Sequence, residues 1–148
     1  MKIVLQRVKE ASVTVAGEIV SRIQGGYLLL VGIAKPDTAV TAGSMAAKIA
    51  KLRIFEDDAG KMNLDIRQVK GWILSVPQFT LLARTEKGAR PGFDNSAPPE
   101  YAELLWHTFN NALISHGIQV LNGVFGAHME VRLINDGPVT FVLDSCQG

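Results

Sequence analysis

Few residues in this chain could do chemistry of a familiar kind. The three histidines are His107, His116 and His128, and histidine is the side chain that ordinarily exchanges a proton near neutral pH. His107 and His116 fall inside a helical pattern and read as surface or helix-end residues. No His-x-x-x-His pair and no Cys–His cluster marks a metal site. The single cysteine, Cys146, excludes an internal disulfide framework and a zinc site built from several thiolates. No Gly-x-Ser-x-Gly elbow is present. Gly25-Gly26 is followed by an apolar run rather than by a helix with a Lys-Ser/Thr pair, so it is not a phosphate loop.

Three other strings carry polar groups in suggestive places. In Pro77-Gln78-Phe79-Thr80-Leu81, proline marks a strand end or edge. If the strand continues, Gln78 and Thr80 share one face and Phe79 and Leu81 the other. A polar pair beside a strand end can bind a substrate, but on the residues alone a solvent-facing strand edge is the better reading. Asn135-Asp136-Gly137-Pro138 between two apolar runs is a turn string. Only about 5–6% of X–Pro bonds are cis in folded proteins, so on sequence alone Gly137–Pro138 reads as trans. Arg84, Lys87 and Arg90 sit in a stretch rich in Gly and Pro, where a phosphate-binding loop and a solvated loop are equally open readings.

The elements that must hold these strings follow from periodicity. Lys2 to Val8, Ser12 to Val15 and Ile19 to Ile23 read as strands, with a hairpin turn at Ala16-Gly17-Glu18. Tyr27 to Ile33 is an apolar run typical of a strand buried on both faces. A helix is predicted to start at Pro36-Asp37-Thr38 and to present Val40, Met45, Ala46, Ile49 and Leu52 on one face. Arg53 to Phe55 and Trp72 to Val76 are further strands. Residues 84–99 form a long loop. A second helix begins near Pro98-Pro99-Glu100, ends at Gly117, and buries Tyr101, Leu104, Leu105, Thr108, Phe109, Ala112 and Leu113. Glu130 to Ile134 and Val139 to Leu143 close the chain as two strands. The predicted class is α+β: antiparallel sheets curled into a barrel-like core, covered by two helices, in one domain over residues 1–148.

Composition is that of a globular protein, with 47% hydrophobic and 20% charged residues. Fifteen basic against 14 acidic residues give a net charge of +1, which leaves room for a local phosphate-binding patch without announcing one. The apolar run near the N-terminus is too short for a signal peptide and Tyr27 to Ala34 is too short to cross a bilayer. A cytoplasmic location, with no membrane partner, is therefore expected.

The strings, taken in order, resemble the D-aminoacyl-tRNA deacylase family, also called D-tyrosyl-tRNA deacylases. The resemblance runs from Gln6-Arg7-Val8 through Leu52-Arg53-Ile54-Phe55, Gly60-Lys61-Met62-Asn63, Gln78-Phe79-Thr80-Leu81, Gly88, Arg90-Pro91, Gly123 and Phe125-Gly126 to Asn135-Asp136-Gly137-Pro138-Val139-Thr140. It implies a homodimer with active sites at the subunit interface. One subunit supplies the catalytic segment Gln78, Phe79 and Thr80, with backbone N–H groups near Phe79 and Thr80 as oxyanion donors. The other inserts Gly137-Pro138, joined by a cis bond and held by Arg7. Met129 lines the pocket for the terminal adenosine. The substrate implied is aminoacyl-tRNA, attacked with help from its own ribose 2′-hydroxyl and without cofactor or metal. L side chains are excluded by clash, and glycyl-tRNA passes. The chain departs from the family at Pro77, where serine is usual, and at His128, where an acidic residue is common. A related animal deacylase acting on L-alanine carried by a threonine tRNA also has that proline, but in a Pro-Gln-Ala-Thr-Leu string; here Phe79 and Val139 are kept. Two alternatives stand beside the D-specific reading: a relaxed deacylase of small L-aminoacyl-tRNAs, and a non-catalytic tRNA-binding module.

Overall fold

A computed structural model describes residues 1–147, the last for its backbone only. Strand β1 (Lys2–Val15) is the spine. Along one edge its N-terminal half pairs antiparallel with β3 (Gly26–Gly32) and its C-terminal half with β2 (Glu18–Ile23). Along the other edge it pairs with β8 (Glu130–Asp144). The sheet continues from β3 to β6 (Trp72–Pro77) and β7 (Gln119–Asn122). It curls until β2 returns to β7, where Ser21 Oγ donates to Asn122 O. β4 (Phe55–Glu56) and β5 (Met62–Leu64) form a separate small ribbon.

The nearly closed barrel with two helices matches the expected α+β class, but the sheet is mixed rather than antiparallel. β6 runs parallel to β3, and β7 parallel to β6. The reason lies in the connections: α1 (Ala39–Lys51) precedes β6 and α2 (Pro99–Ser115) precedes β7. A strand that returns after a helical crossover re-enters the sheet in the same direction.

Both faces of the sheet are buried. Ile3, Leu5, Tyr27, Leu29, Val31 and Ile73 face the helices, whereas Val8, Val13, Leu28, Leu74 and Val76 fill the barrel. The alternation of Tyr27, Leu28 and Leu29 between these layers explains the continuous apolar run.

Thr38 caps α1 in a reciprocal box, Thr41 N–H donating to Thr38 Oγ1 at 3.4 Å and Thr38 N–H to Thr41 Oγ1 at 3.1 Å. Ala42, Met45, Ala46 and Ile49 face the core, but Val40 is 77% exposed, contrary to the expected stripe. On α2 the buried face is Ala102, Leu105, Trp106, Phe109, Asn110 and Leu113. Tyr101 and Leu104 are exposed, so the expected stripe was rotated toward solvent. Among the described residues no helix is long and apolar enough to cross a membrane.

Candidate active site

β6 ends in an abrupt change of backbone. Pro77 pairs with Val31, Gln78 N–H donates to Val31 O at 2.7 Å, and the chain then turns into a 3₁₀ segment, Phe79–Leu82. The expected continuation of the strand through Thr80 and Leu81 is therefore corrected. Gly32 makes room for the turn, because a Cβ there would lie 3.1 Å from Gln78 O. Proline is tolerated at 77 for a geometric reason. Alternate amides point to opposite edges, so the Pro77 nitrogen faces the β7 side, where pairing has already stopped at Ser75–Asn122.

The first amides of a helical turn have no partner within it. Accordingly, the Phe79 and Thr80 N–H groups donate to no acceptor among the described residues, while Leu81 N–H closes the turn on Gln78 O at 3.2 Å. Gln78 Nε2 donates to Thr80 Oγ1, which brings those two side chains together. Phe79 is 58% exposed and meets Phe93 edge-on, with ring centroids 5.0 Å apart.

This turn forms the mouth of a cleft of about 760 Å³. Val76, Pro77, Gln78 and Phe79 form one wall, Trp106 of α2 another, and Phe125 to Met129 of the β7–β8 loop a third. Trp106 is fixed by its Nε1–H, which donates to the fully buried Ser75 Oγ at 2.9 Å. Phe125 packs on Trp106 at a centroid distance of 6.0 Å. Sequence reasoning missed Trp106, Phe93 and Phe125 as cleft residues. The α2 periodicity could have found Trp106, one turn before Asn110 and next to Leu105.

The second string lies elsewhere. Asn135 to Pro138 is not the turn of a hairpin: β8 stays paired with β1 on both sides of it. Gln6 faces Thr140 and Val8 faces Asn135, so residues Asp136 to Val139 loop out opposite Arg7 alone. The Gly137–Pro138 bond is cis, and both residues are exposed. The base of the loop is closed by Asn135, whose Oδ1 accepts from Val139 N–H at 2.7 Å and whose Nδ2 donates to Thr140 Oγ1 at 2.9 Å.

Arg7 is buried behind this loop, donating from Nε to Asp136 O at 2.9 Å and from Nη1 to Ile54 O at 2.7 Å. Its guanidinium lies 5.9 Å from the centre of the Phe55 ring, which stacks on Tyr27. Burial, and after it Asp65, pushes the Tyr27 phenol above its ordinary range, so it stays neutral beneath the arginine.

Within one chain, Gln78, Phe79 and Met129 thus share the cleft, and Thr80 adjoins it through Gln78. Arg7 and Asp136 line a separate small recess with Phe55, Glu56 and Val69. Gly137 and Pro138 do not line their own chain's cleft. In the 84–92 loop, Arg84 N–H donates to Gly92 O at 2.7 Å and Gly92 N–H to Arg84 O at 2.8 Å. The Arg84 side chain pairs with Glu86 at 2.7 Å, leaving Lys87 and Arg90 as exposed cations. Among the described residues no group of three or more His, Cys, Asp or Glu side chains could hold a metal.

A family model described as D-Tyr-tRNA(Tyr) deacylase matches residues 4–144. The chain is 55% identical over 145 residues to a D-aminoacyl-tRNA deacylase of Bacillus cytotoxicus, covering 98% of this chain and 99% of that one. It is 54% identical over 144 residues to a D-aminoacyl-tRNA deacylase of an Exiguobacterium species, covering 97% and 98%. Among solved structures it superposes on the c-Myc DNA unwinding element binding protein with a TM-score of 0.91 at 41% identity, over 97% of this chain and 98% of that one. A probable eukaryotic D-amino acid tRNA deacylase shares the fold at a TM-score of 0.85 and 17% identity, over 96% and 97%. With the match spanning β1, the turn after β6 and the looped-out segment of β8, this chain belongs to the D-Tyr-tRNA(Tyr) deacylase family.

Proposed function

We propose that the chain hydrolyses the ester bond of D-aminoacyl-tRNA, releasing the D-amino acid and free tRNA. The observation that carries this is the end of β6, where two adjacent amides, of Phe79 and Thr80, stay unpaired at the mouth of an apolar cleft. Paired backbone donors of this kind stabilise the charge that grows on a carbonyl oxygen during acyl transfer. The terminal adenosine enters the cleft against Trp106, Phe125 and Met129, and the ester carbonyl lies at the turn. The serine in the cleft wall, Ser96, has its hydroxyl buried without any partner, so no base activates it as a nucleophile. Water adds to the carbonyl, assisted by the neighbouring ribose 2′-hydroxyl. The ester C–O bond then breaks, and the departing 3′-oxygen takes a proton.

Selection against L-amino acids comes from Gly137-Pro138 of a second copy, which fills the space an L side chain needs. Supporting this, the loop is exposed and does not line its own chain's cleft, as a segment offered to a second copy would be. Glycyl-tRNA, with no side chain, passes the filter.

The test is deacylation of the same tRNA charged with a D-amino acid, the L-enantiomer and glycine. Release of the D-amino acid and glycine with the L-ester intact is expected. Rapid loss of small L-amino acids would favour a relaxed deacylase, and binding without turnover a tRNA-binding module.

A further inference from the structure

The loop joining β7 to β8 folds back beside the end of β6. Gly123 N–H donates to Ser75 O at 2.8 Å, and Val124 N–H donates to the Met129 thioether at 3.4 Å. A Cβ placed on Gly123 would lie 2.8 Å from Met129 Sδ, closer than real Cβ contacts come. The next neighbours, Pro77 Cδ and Val76 Cγ2, would both be at 3.7 Å, an ordinary contact. Gly123 is not among the residues with positive φ, so its backbone conformation does not require glycine. The missing side chain matters only for where Met129 sits.

Met129 has two surroundings. One side packs on the apolar cluster inside the barrel, which includes Leu74 and Val76. The other side lines the cleft. A close-packed interior does not yield to a displaced sulfur, so a methyl group at 123 would drive the thioether into the cleft.

We propose that Gly123 is a positioning residue: by having no side chain it holds Met129 back against the barrel and so sets the depth of the cleft for the terminal nucleoside. This rests on the reading that the cleft receives the charged 3′ end of tRNA. A polarizable thioether beside Phe125 and Trp106 suits the flat face of a base. Moving it forward shortens the pocket without touching the Phe79 and Thr80 amides. The effect should therefore fall on substrate binding rather than on turnover.

The experiment compares Gly123→Ala, Met129→Ala and the double variant on D-tyrosyl-tRNA, with thermal unfolding of each. Gly123→Ala should raise KM about tenfold, the low end of what one methylene does in an apolar pocket. Its kcat should stay within about twofold and its folding intact. In the Met129→Ala background the same substitution should change KM less than about twofold, because the clashing sulfur is gone. An unchanged KM in Gly123→Ala, failure of that variant to fold, or a penalty that persists undiminished without Met129 would each overturn the inference. A wild-type chain inert on D-tyrosyl-tRNA would look different: it would defeat the deacylase reading itself, and the inference with it.

Discussion

Replacing Arg7 with lysine isolates the anchor behind the β8 loop. The guanidinium reaches two segments at once, Nε to Asp136 O at 2.9 Å and Nη1 to Ile54 O at 2.7 Å. A single ammonium on a flexible stem keeps the charge but cannot span both carbonyls in that geometry. One charged hydrogen bond is lost, about 1.5–3 kcal/mol, together with the contact over Phe55, about 0.5–1 kcal/mol. The sum, about 2–4 kcal/mol, is a large share of the ~5–15 kcal/mol that holds a domain together. With a urea dependence of about 2 kcal/mol per molar, the unfolding midpoint should fall by about 1–2 M at fixed protein concentration. Because Asp136 precedes Gly137-Pro138, the loop should loosen as well, and the preference for D- over L-tyrosyl-tRNA should drop in the folded Arg7→Lys protein. A midpoint shift below about 0.3 M with selectivity unchanged would refute the assignment of Arg7 as the loop's anchor.

Pro77→Ser adds a hydroxyl and an amide at the cleft wall, yet it leaves the proposed filter, Gly137-Pro138 of a second copy, untouched. The D-to-L rate ratio should change less than about threefold, and an inert natural protein rescued by serine would overturn the account of this wall. Thr80→Ala removes only the acceptor of the Gln78 amide, so turnover should fall by far less than about four decades. A tRNA ending in 2′-deoxyadenosine should lose more than that variant does, and the opposite ranking would place an essential group on the protein. Asp37→Ala removes the charged partner of the buried Met1 ammonium, 2.6 Å from Asp37 Oδ1, and leaves it the Ser145 hydroxyl at 2.8 Å. A loss of about 3–5 kcal/mol in chemical denaturation is expected, and a loss under about 1 kcal/mol would contradict a buried pair there.

The sequence spoke clearly where local chemistry and burial agree. Thr38 is a cap by type and by position, Pro99 fits the first turn of α2, and Tyr27 to Ile33 could only be a strand covered on both faces. It misled where the deciding partner is distant. Asn135-Asp136-Gly137-Pro138 has the composition of a hairpin turn, and only β1, pairing on both sides, makes it a looped-out segment of one strand. Gln119–Asn122 is too short to show alternation, and its place is set by β6. The directions of β6 and β7 depend on the crossovers before them, which periodicity does not encode. For the candidate site, the residues alone marked Gln78 and Thr80 as a polar pair, and the resemblance added their role and Met129. Trp106 and Phe125 stayed hidden because a large apolar residue on a helix or between glycines looks like ordinary core.

The pairing of Lys2 with Asp144 and of Thr14 with Glu130 also has a temporal meaning. β1 is synthesised long before β8, the strand that fills its second edge. Joining chain segments that far apart costs roughly 4 kcal/mol in closure entropy before any contact repays it. Such long-range pairing makes for slow folding. During synthesis β2 and β3 can dress one edge of β1 early, while the other stands bare until the C-terminal strand leaves the ribosome. An unpaired edge of that length is a template for any passing strand. The nascent chain is therefore vulnerable to aggregation until β8 has been made and has docked, and anything that stalls translation ahead of residue 130 prolongs that exposure.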